Sequence, residues 1–301
     1  MWLLLAFMSA TLLGFYDSFK KKSLKDNAVI PVLFINTVIC SLIFLPLIVL
    51  SATGTLPSSC PFHVGGGGWE MHRYVILKSV IVLSSWLAGY IGMKHLPLTI
   101  VGPINATRPV MVLIGALLGY GERLNAWQWA GVAVAVASFF LLSRSGKKEG
   151  INFAHDKCIV LAAILGAVSG LYDKYLMASP SDGGVGLDRM AVQSWYNIYQ
   201  SAMMLLMLAI IWFPRRKADR FHWSWSIIGI SIFLSAADFL YFYALSLPSA
   251  MISIISMVRR SSVLVSFLFG AIFFHERNLK GKAIDLSLVL LSMILLFIGS
   301  K

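Results

Sequence analysis

Long apolar runs, broken by short polar segments, occupy the chain from its second residue onward. An α-helix crosses about 30 Å of hydrocarbon with roughly 20 residues. A window of that length finds ten runs: 2–19, 29–51, 72–93, 97–120, 126–143, 156–178, 190–213, 222–245, 249–274 and 282–299. Trp69, Trp127, Trp129, Trp212, Trp223 and Trp225 fall near run ends, where an interfacial aromatic belt is expected. Apolar sequence begins at once, with no basic segment ahead of it and no small-residue cleavage site before Lys20. That predicts a retained first helix rather than a signal peptide. The longest connection, 52–71, contains Gly65, Gly66, Gly67 and Gly68, and a polar linker at 144–155 leaves five runs on either side.

The two halves repeat. Gly14-Phe15-Tyr16-Asp17 is answered by Gly170-Leu171-Tyr172-Asp173 at an offset of 156, Glu122-Arg123 by Glu276-Arg277 at 154, and Leu96-Pro97 by Leu247-Pro248 at 151. An odd number of spans per repeat turns the halves antiparallel in a membrane, the construction of secondary transporters with a midplane site. The expectation is an all-α integral membrane protein of ten transmembrane helices. They form two inverted five-helix repeats, 1–143 and 156–301, joined by a linker at 144–155.

Composition agrees. Of 301 residues, 58% are hydrophobic and 13% charged, with a mean hydropathy of +0.80. This excludes a large extramembrane domain, intrinsic disorder and a nucleic-acid-binding module. The net charge of +12 reads as loop lysines and arginines that orient helices. Three cysteines, Cys40, Cys60 and Cys158, are too few and too scattered for a disulfide framework or a metal site. His275-Glu276 lacks the second His of a zinc-protease helix, and no phosphate-binding loop ends in Gly-Lys-Ser/Thr. Neither an enzyme nor a cofactor is expected.

The ten runs in two halves, each closing its fourth helix with a Glu before a fifth, resemble the drug/metabolite transporter superfamily, EamA branch. Pro109-Val110, Gly115, Ala116, Glu122 and Gly131 carry the resemblance in the first half, and Gly270-Ala271 with Glu276 in the second. The second half departs in having Val263 where the pattern has Pro and Asp285 where it has Gly. The resemblance implies a ten-helix exporter of the cell membrane. It leaves the substrate open among amino acids, sugars, nucleotide-linked metabolites and amphipathic drugs.

A charge in the bilayer interior is costly, so each one needs a cavity, a partner or a function. Arg108 lies eleven residues into its run, roughly 16 Å deep at 1.5 Å per residue. Arg259 and Arg260 lie at similar depth, Asp238 is seven residues from a run end, and Asp17 and Asp173 occupy repeat-equivalent places nearer the ends. Helical spacing gathers polar residues into stripes: Ser249, Ser253, Ser256 and Arg260; Ser231, Ser235 and Asp238; Gln193, Asn197 and Gln200; and Asn105 with Arg108. Such stripes either line a shared aqueous cavity or join helices by hydrogen bonds. Arg260 and Asp238 either serve a cavity or neutralise one another. The candidate substrate-binding residues are Arg108, Asn105, Arg260, Ser256, Gln193, Asn197 and Tyr241. Asp238, Asp17 and Asp173 are the candidates for proton coupling.

The leading expectation is a secondary transporter of a small anionic or zwitterionic metabolite, working by alternating access in the bilayer. The alternatives are a flippase for a lipid-linked phosphate or sugar, or an exporter of neutral or amphipathic compounds. One chain holds the whole pseudo-symmetry, so a monomer suffices, and a dimer is compatible. Connections after the odd-numbered runs carry 16 Lys/Arg against 4 on the other side, which places both termini outside by the positive-inside rule, whereas the resemblance implies termini inside. The charge tally predicts that a cysteine in 144–155, in a cysteine-free background, resists an impermeant thiol reagent added to intact cells. Labelling from outside would reverse the orientation.

Overall fold

The computed structural model describes residues 1–95, 108–121, 123–146 and 156–262, and further on 265, 287–288, 291–292, 294–295 and 298–299. Among the described residues every regular element is helical. The α-helices are α1 (Trp2–Leu24), α2 (Val29–Ala52), α3 (Trp69–His95), α4 (Arg108–Gly119), α5 (Ala126–Gly146), α6 (Asp156–Met177), α7 (Arg189–Met207), α8 (Ser226–Ser246) and α9 (Ile252–Arg260). Among the described residues, six segments are long and apolar enough to cross a membrane: Trp2–Leu24, Val29–Ala52, Trp69–Gly92, Val160–Met177, Arg189–Arg215 and Ser226–Ser246. Of the expected runs, residues 97–107 of the fourth and most of the ninth and tenth after Ser262 lie outside the described residues.

Several boundaries differ from the sequence expectation. Helix α1 continues to Leu24, so Lys20, Lys21 and Lys22 stand on its last turns rather than in a loop. Helix α7 passes into a wide π-turn at Leu208–Trp212 and a 3-10 turn at Phe213–Arg215, where Pro214 supplies no backbone N–H to continue an α-helical ladder. Helix α9 ends at Arg260, with Ser261 as its C-cap, so the long run at 249–274 is interrupted.

Local chemistry fixes the helix starts. Asp188 caps α7 by accepting from the Ala191 N–H at 2.9 Å. Asn125 and Gln128 form a reciprocal capping box ahead of α5: Asn125 Oδ1 accepts from the Gln128 N–H and Gln128 Oε1 from the Asn125 N–H. Asn27, between α1 and α2, clips that turn to the segment before α8. Its Oδ1 accepts from the His222 N–H at 2.9 Å and its Nδ2 donates to the His222 carbonyl at 2.8 Å.

The closest helix pairs are α1 with α8, α3 with α6, and α2 with α7; α4 also lies against α9. Small hydroxyls bond across these interfaces. Ser9 donates to the Ala237 carbonyl at 2.7 Å, Ser41 to the Asn197 carbonyl at 2.8 Å and Ser85 to the Ala162 carbonyl at 2.8 Å. Phe15 and Phe19 stack on Phe233, with centroids 5.1 and 5.5 Å apart. Gly14 permits a close approach to the segment after α9, since a Cβ there would lie 2.8 Å from the Ser262 carbonyl oxygen and collide with Val265. Gly14→Val is therefore expected to cost about 1–3 kcal/mol by overpacking, read as a lower unfolding midpoint in detergent. Gly66→Ala, with nothing within 4 Å of its Cβ, should leave that midpoint unchanged.

Candidate functional site

Two groups of charged side chains occupy the bundle interior. The first joins five helices. Lys78 on α3 forms a buried ion pair with Asp173 on α6, their side chains 3% and 6% exposed. Asp173 also accepts from Tyr241 Oη on α8 at 3.1 Å. The Arg259 guanidinium on α9 lies 4.0 Å from the Tyr241 ring centroid and donates to Asp238 Oδ1 at 2.8 Å. Asp238 Oδ2 accepts from Tyr196 Oη on α7 at 2.8 Å. The Lys78 ammonium completes the loop, 4.9 Å from the Tyr196 ring centroid and 4.8 Å from that of Phe242. Each carboxylate therefore has a cation and a phenol as partners. Lys174, next in sequence to Asp173, turns to the Ala250 carbonyl at 2.6 Å.

The second group is less fully paired. Asp17 on α1 lies within electrostatic reach of Lys20, Arg260 and Arg108. Arg108 donates to Ser85 Oγ and to the Ala162 carbonyl, both at 3.1 Å, and its buried Nε has no partner. Its guanidinium lies against Gly166, where a Cβ would occupy the same space. Lys20 is 8% exposed, with its ammonium 4.1 Å from the Tyr90 ring centroid and 5.2 Å from that of Tyr16. The two phenol oxygens are 3.3 Å apart. Among the described residues, neither Arg108 nor Arg260 forms an ion pair within salt-bridge distance.

The residues expected from sequence are thus divided. Asp173, Asp238 and Tyr241 meet in the first group, and Asp17, Arg108 and Arg260 in the second. The ion pair anticipated between Arg260 and Asp238 is made by Arg259, the helical neighbour pointing about 100° away. Gln193 and Asn197 are 1% and 3% exposed, and both bond to backbone. Gln193 Nε2 donates to the Ser235 carbonyl at 3.0 Å and Asn197 Nδ2 to the Gln193 carbonyl at 2.9 Å. Ser256 is half-buried on α9. Asn105, Glu122 and Glu276 lie outside the described residues. Sequence reasoning passed over Lys78, nine residues into α3, and Lys20, which heads a run of three lysines. Applying the cost of an intramembrane charge to Lys78 would have found it.

This interior sits in a sequence with known relatives. Residues 1–144 match the EamA-like transporter family. That match covers 144 of the 301 residues. An "uncharacterized transporter in cobO 3' region" of Sinorhizobium sp. is 32% identical over 95 residues, covering 32% of this chain and 64% of that protein. A probable 4-amino-4-deoxy-L-arabinose-phosphoundecaprenol flippase subunit, ArnE, of Pectobacterium atrosepticum is 32% identical over 75 residues, covering 25% of this chain and 62% of that protein. The chain thus spans a little under two thirds of the length of either relative. One solved crystal structure shares the fold with a TM-score of 0.70, over 99% of this chain and 97% of that one, at 12% identity. With six helices among the described residues long and apolar enough to cross a membrane, the chain is a multi-pass membrane protein.

The paired group makes a clear energetic prediction for this bundle. Removing one partner of a buried ion pair strands the other and costs about 3–5 kcal/mol. Lys78→Met should therefore unfold at a markedly lower temperature than wild type. The double variant Lys78→Met/Asp173→Leu should recover much of the loss, as a thermal-unfolding double-mutant cycle would show.

Proposed function

We propose that the protein is a secondary transporter that moves a small organic anion or zwitterion across the cell membrane by alternating access, with the second charged group as its binding site. The observation that carries this reading is the presence of Arg108 and Arg260 inside the bundle without an ion-paired carboxylate among the described residues. A guanidinium there is stabilised when a ligand brings the missing negative charge, through hydrogen bonds that can be bidentate. Asp17, which takes no hydrogen bond from a described residue, is the candidate carboxylate for proton coupling. Asp173 and Asp238 would couple only if their pairs with Lys78 and Arg259 opened. Gln193, Asn197, Ser256, Tyr241 and Asn105 are the further candidates from sequence, of which Tyr241 stands in the first group and Gln193 and Asn197 bond to backbone carbonyls.

Helix packing supports a ten-helix inverted repeat with halves at 1–143 and 156–301. Adding five to each helix number, and counting round, turns the α1–α8 pair into α6–α3 and leaves α2–α7 and α4–α9 unchanged. The interior arginines follow the same relation. Arg108 donates to Ser85 on the preceding helix and Arg259 to Asp238 on its own preceding helix, at sequence offsets of 151 and 153. A second reading, translocation of a lipid-linked anion, is favoured by the flippase-subunit relative and would use the same arginines.

The test is a thermal-shift panel of anionic, zwitterionic, cationic and neutral metabolites on the purified protein, repeated with Arg260→Gln. A ligand at 100 times its Kd stabilises by about 2.7 kcal/mol. Anions or zwitterions should raise the wild-type midpoint, and the variant should lose the shift. Equal shifts of both proteins by neutral or cationic compounds would overturn the reading.

A further inference from the structure

We infer that Lys20 is a third substrate-binding cation and that, with Arg108 and Arg260, it makes the site selective for a phosphate monoester, an anion carrying two negative charges on one group. This rests on the transport reading above and narrows it to one chemical class.

The charges of the interior carry the argument. Lys78 with Asp173 and Arg259 with Asp238 cancel as two pairs. Among the described residues, what remains is Lys20, Arg108 and Arg260 within electrostatic range of one carboxylate, Asp17, an excess of two positive charges. Uncompensated charge inside a membrane protein is expensive, so the occupant that best stabilises this group is a dianion. A carboxylate or phosphodiester would supply half of the charge needed.

Lys20 is placed for this role rather than for a loop. It stands one helical turn after Tyr16, and Nζ lies over the Tyr90 and Tyr16 rings. Among the described residues it makes no hydrogen bond, so its three N–H donors are available. Ring faces hold a cation by a weak attraction of about 0.5–2 kcal/mol, which leaves it free to swing to a stronger acceptor. The group also has the right donors: two planar guanidinium forks and an ammonium, with the Tyr16 and Tyr90 hydroxyls beside it.

Binding is measured at pH 8 on the purified full-length protein, with glycerol 3-phosphate and its methyl diester as soluble probes. Phosphatidate and phosphatidylmethanol in nanodiscs make the same comparison for a lipid headgroup. The monoester is expected to bind at least about tenfold more tightly than the matching diester in one of these arms, and that arm identifies the source as a free metabolite or a lipid. Lys20→Gln should bring the ratio close to one, and Lys20→Arg should keep it. Equal affinity for monoester and diester, or a preference that survives Lys20→Gln, would overturn the inference. The wild-type comparison alone decides should the variants fail to fold. If both esters bind alike and Arg260→Gln abolishes both, the anion-transport reading stands and only the monoester selectivity falls. If no anion binds while a neutral or cationic compound does, both fall.

Discussion

The bundle is organised around the need to compensate charge where water is scarce. Asp173 and Asp238 would each be prohibitive alone in an apolar interior, and each is answered by a cation from a different helix and a phenol from a third position. The Lys78–Asp173 and Arg259–Asp238 pairs therefore act as constraints as much as attractions. They require α3 beside α6 and α9 beside α8, and Tyr196 brings α7 to the same place. Apolar packing between lipid-facing helices is weakly specific, because lipid tails are as apolar as leucine. A charge that can be satisfied in only one arrangement selects among packings that van der Waals contact would otherwise allow.

Around that constraint, small residues set the distances. Gly14 admits the segment after α9, Gly166 receives the Arg108 guanidinium and Gly229 lies beneath the Phe19 ring. Serine hydroxyls bond to carbonyls of the facing helix at Ser9, Ser41 and Ser85. Each such bond is modest, about 0.6–2 kcal/mol, and their value lies in fixing register. The aromatic faces of Tyr16, Tyr90 and Tyr241 supply the remaining accommodation for cations. Among the described residues, the second group differs in having cations in excess of carboxylates.

Much of this was readable from sequence, for definite reasons. Span positions follow from hydropathy, and α2, with bounds at Val29 and Ala52, differs from its expected run by one residue. Asp17, Asp173, Asp238, Arg108 and Arg260 stood out because charge within an apolar run has few explanations. Pairing was not readable, because it depends on which face of a helix turns to which neighbour. Arg259 and Arg260 are adjacent in sequence and about 100° apart in space, and only packing decides which of them reaches Asp238. The stripe of Gln193, Asn197 and Gln200 was visible as a stripe, but periodicity does not tell a wet face from a hydrogen-bonded one. Lys20 was read as a topology signal because it heads Lys20-Lys21-Lys22, and α1 buries that lysine by continuing one turn further.

The Asn27 clip has a mechanical meaning. It ties the α1–α2 turn to the strand of chain entering α8, while Ser9 and the Phe15–Phe19–Phe233 stack fasten α1 along α8. Those three helices come from distant parts of the polypeptide. Contacts between residues 228 and 195 positions apart, rather than the chain that joins them, therefore hold α8 against α1 and the turn into α2.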